Sequence, residues 1–117
     1  MKLLTERVND VVVCRPDASS LTANNAPDLK KEFLRLFMEE SSKVVLDLSN
    51  VNYIDSTGLG AILFGMRNAK NYGGKIRICN PQEKVQKLID IAQLGRVWPI
   101  HHSVTEAVEE FKKEEKA

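Results

Sequence analysis

The sequence predicts a single α/β domain, a mixed sheet of about five strands covered by about four helices. Three observations carry this. Two short extended runs near the start flank a turn pair, Asn9-Asp10. From Val44 onward, extended runs alternate with amphipathic helical stretches. The chain has 117 residues, 43% hydrophobic and 28% charged, which is one globule's worth of core. A chain of this length buries roughly 65% of the surface it exposes when unfolded, so it needs no metal or disulfide staple.

The elements follow in order. Leu3 to Arg7 reads as a first strand. Val11-Val12-Val13-Cys14 reads as a second, β-branched and too short for a helix. Joined by Asn9-Asp10, the two are expected to be antiparallel. Pro16 to Asn25 reads as irregular, with a short strand near Leu21. Asn24 or Asn25 is expected to cap a first helix, with Pro27 in its first turn. Leu29, Phe33, Leu36 and Phe37 form the helix's apolar face, and Ser41-Ser42 ends it. Val44-Val45-Leu46-Asp47-Leu48 reads as a buried central strand and Val51 to Ile54 as a second short extended piece. A second helix opens in Asp55 to Gly60, buries Leu59, Ile62, Leu63, Met66 and Ala69, and stops at Gly73-Gly74. Lys75 to Cys79 alternates as a strand with one buried face does. Asn80-Pro81 is expected to cap and start a third helix, with Val85, Leu88, Ile89 and Ala92 inward and Gly95 at its end. Val97 to Ile100 reads as a last strand, at a sheet edge because of Pro99. Ser103 and Glu106, at capping-box spacing, start a final helix facing inward with Val104, Ala107, Val108 and Phe111. Residues 110–117 read as its charged end or a tail. Crossovers through helices should be parallel and right-handed.

Composition excludes several function classes. Seventeen Lys and Arg against sixteen Asp and Glu leave a formal charge of +1, too little for a nonspecific grip on nucleic acid. No apolar run approaches the roughly 18 residues of a membrane span, and the N-terminus lacks a signal-peptide core, so a cytoplasmic protein is expected, with no membrane insertion. Cys14 and Cys79 read as buried small hydrophobes. His101 and His102 read as turn histidines, since neighbours on a strand end diverge. Asp47 is expected to hydrogen-bond a turn or cap, and Tyr53 and Trp98 to pack. Phe64 lies off the second helix's apolar stripe, open to a partner surface or a minor core contact. No catalytic set, metal-ligand set or cofactor fingerprint emerges. Gly73-Gly74-Lys75 lacks the phosphate loop's first glycine, Leu63 breaks a dinucleotide fingerprint, and Ser56 is not in a GxSxG elbow.

The densest signal is Asp55-Ser56-Thr57-Gly58-Leu59-Gly60, where a strand ends and a helix begins. Ligands of open α/β sheets gather at that edge. A helix N-terminus carries free N–H groups and partial positive charge, so a hydroxyl there is well placed to bear a phosphate. Gly58 and Gly60 would let another surface approach the backbone, at about 1 kcal/mol each in helix propensity. The plain alternative is an N-cap whose glycines ease helix–sheet packing.

These residues, with Val44-Val45-Leu46-Asp47-Leu48-Ser49 before them, resemble the signature of bacterial anti-sigma-factor antagonists, the STAS domain family. Leu21 through Leu29, Gly73-Gly74-Lys75 and Val85 to Gly95 resemble the family's other segments, so the likeness spans nearly the whole chain. The resemblance implies a binding switch without enzymatic activity. Unphosphorylated, such a protein binds an anti-sigma factor that is also a serine kinase of the GHKL type, and so frees a sigma factor. Phosphorylation ends binding, and a PP2C-type phosphatase restores it. By position the phosphoacceptor is Ser56, with Thr57 the second choice. The implied partner-binding residues are Asp55, Ser56, Thr57, Gly58, Leu59 and Gly60, together with Leu21 and Thr22. The family's Gly-x-Leu-Asp before helix one reads Ser19-Ser20-Leu21-Thr22 here, so Thr22 stands where relatives carry a carboxylate that helps contact the kinase. Residue chemistry alone would make Thr22 a turn or cap residue.

Two other readings stand beside this one. Some relatives serve as stressosome scaffolds or as regulatory subunits of transport systems, without a sigma cascade. A receiver with an aspartyl phosphate on Asp55 would need further carboxylates after the first strand to hold Mg²⁺, and Val11 to Arg15 offers none.

Overall fold

The computed structural model describes residues 1–116, Lys116 by its backbone alone; the last residue of the expected charged end, Ala117, lies outside the described residues. The chain runs β1 (Lys2–Val8), β2 (Val11–Asp17), β3 (Ser20–Leu21), α1 (Ala26–Met38), β4 (Lys43–Asp47), β5 (Tyr53–Ile54), α2 (Ser56–Asn71), β6 (Lys75–Cys79), α3 (Glu83–Ile91), β7 (Ile100–His101) and α4 (Val104–Lys116). A single 3-10 turn, Leu94–Arg96, precedes β7. The main sheet has five strands in the order β1-β2-β4-β6-β7. β1 and β2 form the antiparallel hairpin the sequence predicts, with Val8 opposite Val11 and Asn9 in the left-handed region that the tight turn requires. All later pairings are parallel. β3 and β5 form a separate parallel pair, Ser20 opposite Tyr53 and Leu21 opposite Ile54.

Alternation along the central strands feeds two layers. Val12, Val44, Leu46, Ile76 and Ile78 face α1, α2 and α3 in the main core. Val11, Val13, Val45 and Cys79 face α4 through Ala107, Val108 and Phe111. Covering both faces explains the unbroken apolar runs of β2 and β4. It also corrects the expectation of one buried face for β6. Arg77 points at α4 and is 5% exposed, with its guanidinium 4.9 Å from the Phe111 ring centroid and ion-paired to Glu114.

Other boundaries moved for local reasons. α3 starts at Glu83 and not at Pro81, because Asn80 takes φ +57° and spends its side chain on Asp47. α3 ends at Ile91, before Gly95: Gln93 takes the left-handed position at φ +57°, Gly95 sits inside the 3-10 turn, and Ala92 is exposed. The last strand is Ile100–His101 and not Val97–Ile100, since Val97 and Trp98 hydrogen-bond back to Leu94. Asn25 occupies the N-cap position of α1 without capping it. Its side chain accepts from Thr22 N at 2.9 Å and donates to Ser20 O at 2.8 Å. Gly73, at φ +71°, ends α2 as expected: Gly74 N–H reaches Ala69 O at 2.7 Å and Gly73 N–H reaches Lys70 O at 3.2 Å.

Candidate functional site

The exits of β3 and β5 lie side by side, because the two strands run parallel and Asp55 N–H donates to Leu21 O at 3.1 Å. From there α2 begins. Asp55 is its N-cap in extended conformation, and its Oδ1 accepts from Gly58 N–H at 2.8 Å. Its carbonyl accepts the first helical bond, from Leu59 N–H at 2.9 Å. Ser56 and Thr57 follow in the first turn, both exposed, and their own N–H groups have no partner inside the helix.

Gly58 is buried, and the surface that approaches it belongs to the chain itself. A methyl group there would overlap the Leu21 carbonyl oxygen and lie 2.7 Å from the carbonyl carbon. Gly58 thus seats α2 on β3, the packing role that was the plain alternative. Gly60 differs: a methyl group there would meet nothing within 4 Å, and the residue is half-buried. Leu21 is fully buried, so its contribution is the carbonyl that holds Asp55, while its neighbour Thr22 is half-buried. Thr22 Oγ1 accepts from Asn24 N–H at 3.3 Å, a local turn. Leu59 is half-buried against the core. The tip therefore displays the Ser56 and Thr57 hydroxyls on a frame fixed by Asp55, Gly58 and Leu21. It offers a hydroxyl for modification at a helix N-terminus, where added negative charge is tolerated by the helix.

Sequence reasoning placed some residues wrongly. Tyr53 is 54% exposed and not packed, because its β5 neighbour Ile54 takes the inward position. The alternation of a two-residue strand was the available signal. Leu63 is 39% exposed and sits off the α2 core stripe, whose buried positions include the unforeseen Gly65, held against the Phe33 ring. Phe64 is half-buried, with Lys30 Nζ 5.4 Å from its ring centroid. His101 is a buried strand residue and not a turn residue. Its Nε2 lies 3.0 Å from Arg77 Nη1 and its Nδ1 3.3 Å from Glu106; since arginine only donates, Nε2 is the acceptor and Nδ1 carries the proton. His102 is exposed. Trp98 packs in the core. Asp47 does what its position suggested, accepting from Ser49 N–H at 3.0 Å and from Asn80 Nδ2 at 3.1 Å. Cys14 and Cys79 are free and buried, and burial pushes both thiols up to about 12. Among the described residues no helix is long and apolar enough to cross a membrane.

A mixed-sheet domain whose second helix opens on an exposed, glycine-framed Ser-Thr tip is the architecture of a STAS domain. The chain belongs to that family: the STAS domain model matches residues 2–107. It is 33% identical over 107 residues to a Thermotoga maritima protein bearing the name "Putative anti-sigma factor antagonist", covering 91% of this chain and 94% of that one. A crystal structure of a Thermotoga maritima protein so described superposes with a TM-score of 0.84 at 32% identity, covering 92% of each chain. The Bacillus cell-fate determinant SpoIIAA in its phosphorylated form shares the fold, with a TM-score of 0.72 at 19% identity over 94% of this chain and 99% of that one.

Proposed function

We propose that this protein is an anti-sigma-factor antagonist, a binding switch set by phosphorylation of Ser56. The observation that carries the reading is the exposed Ser56 hydroxyl, beside that of Thr57, on a tip whose frame is already committed: Asp55 to Gly58 N–H, and Gly58 to Leu21. The names of the relatives at about one-third identity support the antagonist class. Unphosphorylated, the tip binds an anti-sigma factor that is also a GHKL-type serine kinase, and a sigma factor is released. The kinase transfers a phosphoryl group from ATP to the Ser56 oxygen, and a PP2C-type phosphatase hydrolyses it.

The electrostatics support a switch without refolding. A phosphoserine brings about −1.5 to −2 charges and three acceptor oxygens. Placed beside Asp55, it sets like charges together on the docking surface. At the first position of α2 the same charge favours the helix, so the fold persists while the partner is repelled. Exposed Thr57, half-buried Thr22 and the open backbone at Gly60 complete the contact surface. Buried Leu21 and Gly58 act as its frame.

Phosphopeptide mapping after incubation with host lysate and ATP tests this. A phosphate on Ser56 that disappears in Ser56→Ala is the expected result. If a control antagonist is labelled in the same lysate and this chain is not, the switch is wrong, and a scaffold or transport-subunit role takes its place.

A further inference from the structure

A groove lies toward the other end of α2, about 10–20 Å along the helix from Ser56. Its cavity is about 310 Å³, bounded by the C-terminal half of α2, the start of β6 and the segment that follows the 3-10 turn. That is the lower end of the range for small-molecule sites. The apolar wall is formed by Leu63, Ile76, Val97 and Trp98. Leu63 and Val97 are 39% and 74% exposed, so two aliphatic side chains stand at the rim uncovered by the fold. The polar part of the lining is basic: Arg67, Lys70 and Lys75. Among the described residues no acidic side chain lines the groove. Lys75 shares its charge with Glu114 at 3.0 Å, but Arg67 and Lys70 have no acidic partner among the described residues.

We propose that this groove binds a small single-chain amphiphile with an anionic head, such as a fatty-acid carboxylate, its chain between Leu63 and Val97 and its head on Arg67 and Lys70. An aliphatic wall suits an alkyl chain. Trp98 is 5% exposed and packs in the core, so little of its ring is open for stacking a nucleobase. Cations without acidic counterparts select a negative head over a neutral one. A volume of about 310 Å³ favours a small, slender molecule over a protein segment.

Trp98 is the chain's single tryptophan and forms part of the wall, so its fluorescence reports on the groove directly. The full chain is titrated with laurate below its micelle-forming concentration, with neutral dodecanol as comparison. Amide chemical shifts are recorded alongside. The expected result is a saturable change in Trp98 emission, shifts confined to α2's C-terminal half and residues 97–99, and affinity for dodecanol at least roughly tenfold weaker. Arg67→Glu with Lys70→Glu, both at exposed positions, should also weaken laurate roughly tenfold. Val97→Asp, a rim change that touches no core packing, should do the same. An emission that does not respond overturns the proposal, as does equal binding of laurate and dodecanol or laurate affinity unaltered in both variants. A groove that takes an acidic helical peptide and not laurate overturns it too.

Discussion

At its N-terminal end α2 presses on β3 so closely that Gly58 has no room for a methyl group. Toward its C-terminal end the same helix borders a groove that it shares with the start of β6 and residues 97–99. The first end is held by backbone: Asp55 N–H on Leu21 O, Asp55 Oδ1 on Gly58 N–H. The second end is lined by side chains, aliphatic and basic together. The difference teaches that exposure has two sources in this fold. Ser56 is exposed because a backbone-held frame displays it, and Leu63 and Val97 are exposed because the described residues leave them uncovered. On the proposed reading, the first kind of surface changes by one phosphoryl group without moving. The second changes only if something fills it.

The two glycines of the tip give the sharpest way to break that comparison. Gly58→Ala should cost about 3 kcal/mol, since the new methyl meets backbone that cannot swing aside. Thermal denaturation should show a fall in Tm of about 10 °C. A neutral outcome would mean the α2–β3 seat is soft. Gly65→Ala, against the Phe33 ring, should cost less, about 1–2 kcal/mol, because a side chain can shift where backbone cannot.

Alkaline pH probes the core behind both ends. The folded thiols of Cys14 and Cys79 stay protonated up to about 12, whereas an exposed thiol ionises near 9.0. Between these values the unfolded chain has lost protons the folded chain keeps, so stability falls as pH rises above 9, on the order of 1 kcal/mol per thiol per pH unit. Urea titrations of the native chain and of Cys14→Ser/Cys79→Ser, compared as slopes against pH, check this. Below pH 9 the thiols should also resist a disulfide reagent until urea is added. The smallest effect is Gly60→Ala. It fills open space within a helix and should raise stability by about 0.5–1 kcal/mol in the same denaturation assay.

Periodicity was enough to find the apolar face of α1 and the central strands. Leu29, Phe33, Leu36 and Phe37 on α1, and the β-branched runs of β2 and β4, are buried where the pattern places them. The strand–turn–helix at Asp55 was legible because an N-cap, hydroxyls and glycines cluster there. What was hidden depended on partners distant in sequence. Arg77 looked like the polar side of a half-buried strand because α4, which buries it, follows more than twenty residues later. Asn80 looked like a cap because its bond to Asp47 crosses from one strand end to another. Gly58 and Gly60 look alike in sequence, and only the position of Leu21 separates a packed glycine from an open one. The α2 groove had no signal, since Leu63 reads as core on helical spacing and Val97 as strand.

The central claim is that one charge at a rigid tip controls binding. Calorimetric titration of the anti-sigma factor into the unmodified chain and into Ser56→Asp tests it most directly, with far-UV circular dichroism on both. At least a hundredfold weaker binding to Ser56→Asp, about 3 kcal/mol, with unchanged helical signal is the predicted result. Equal affinity for the two forms, or a loss of affinity that tracks a loss of helix, would contradict it.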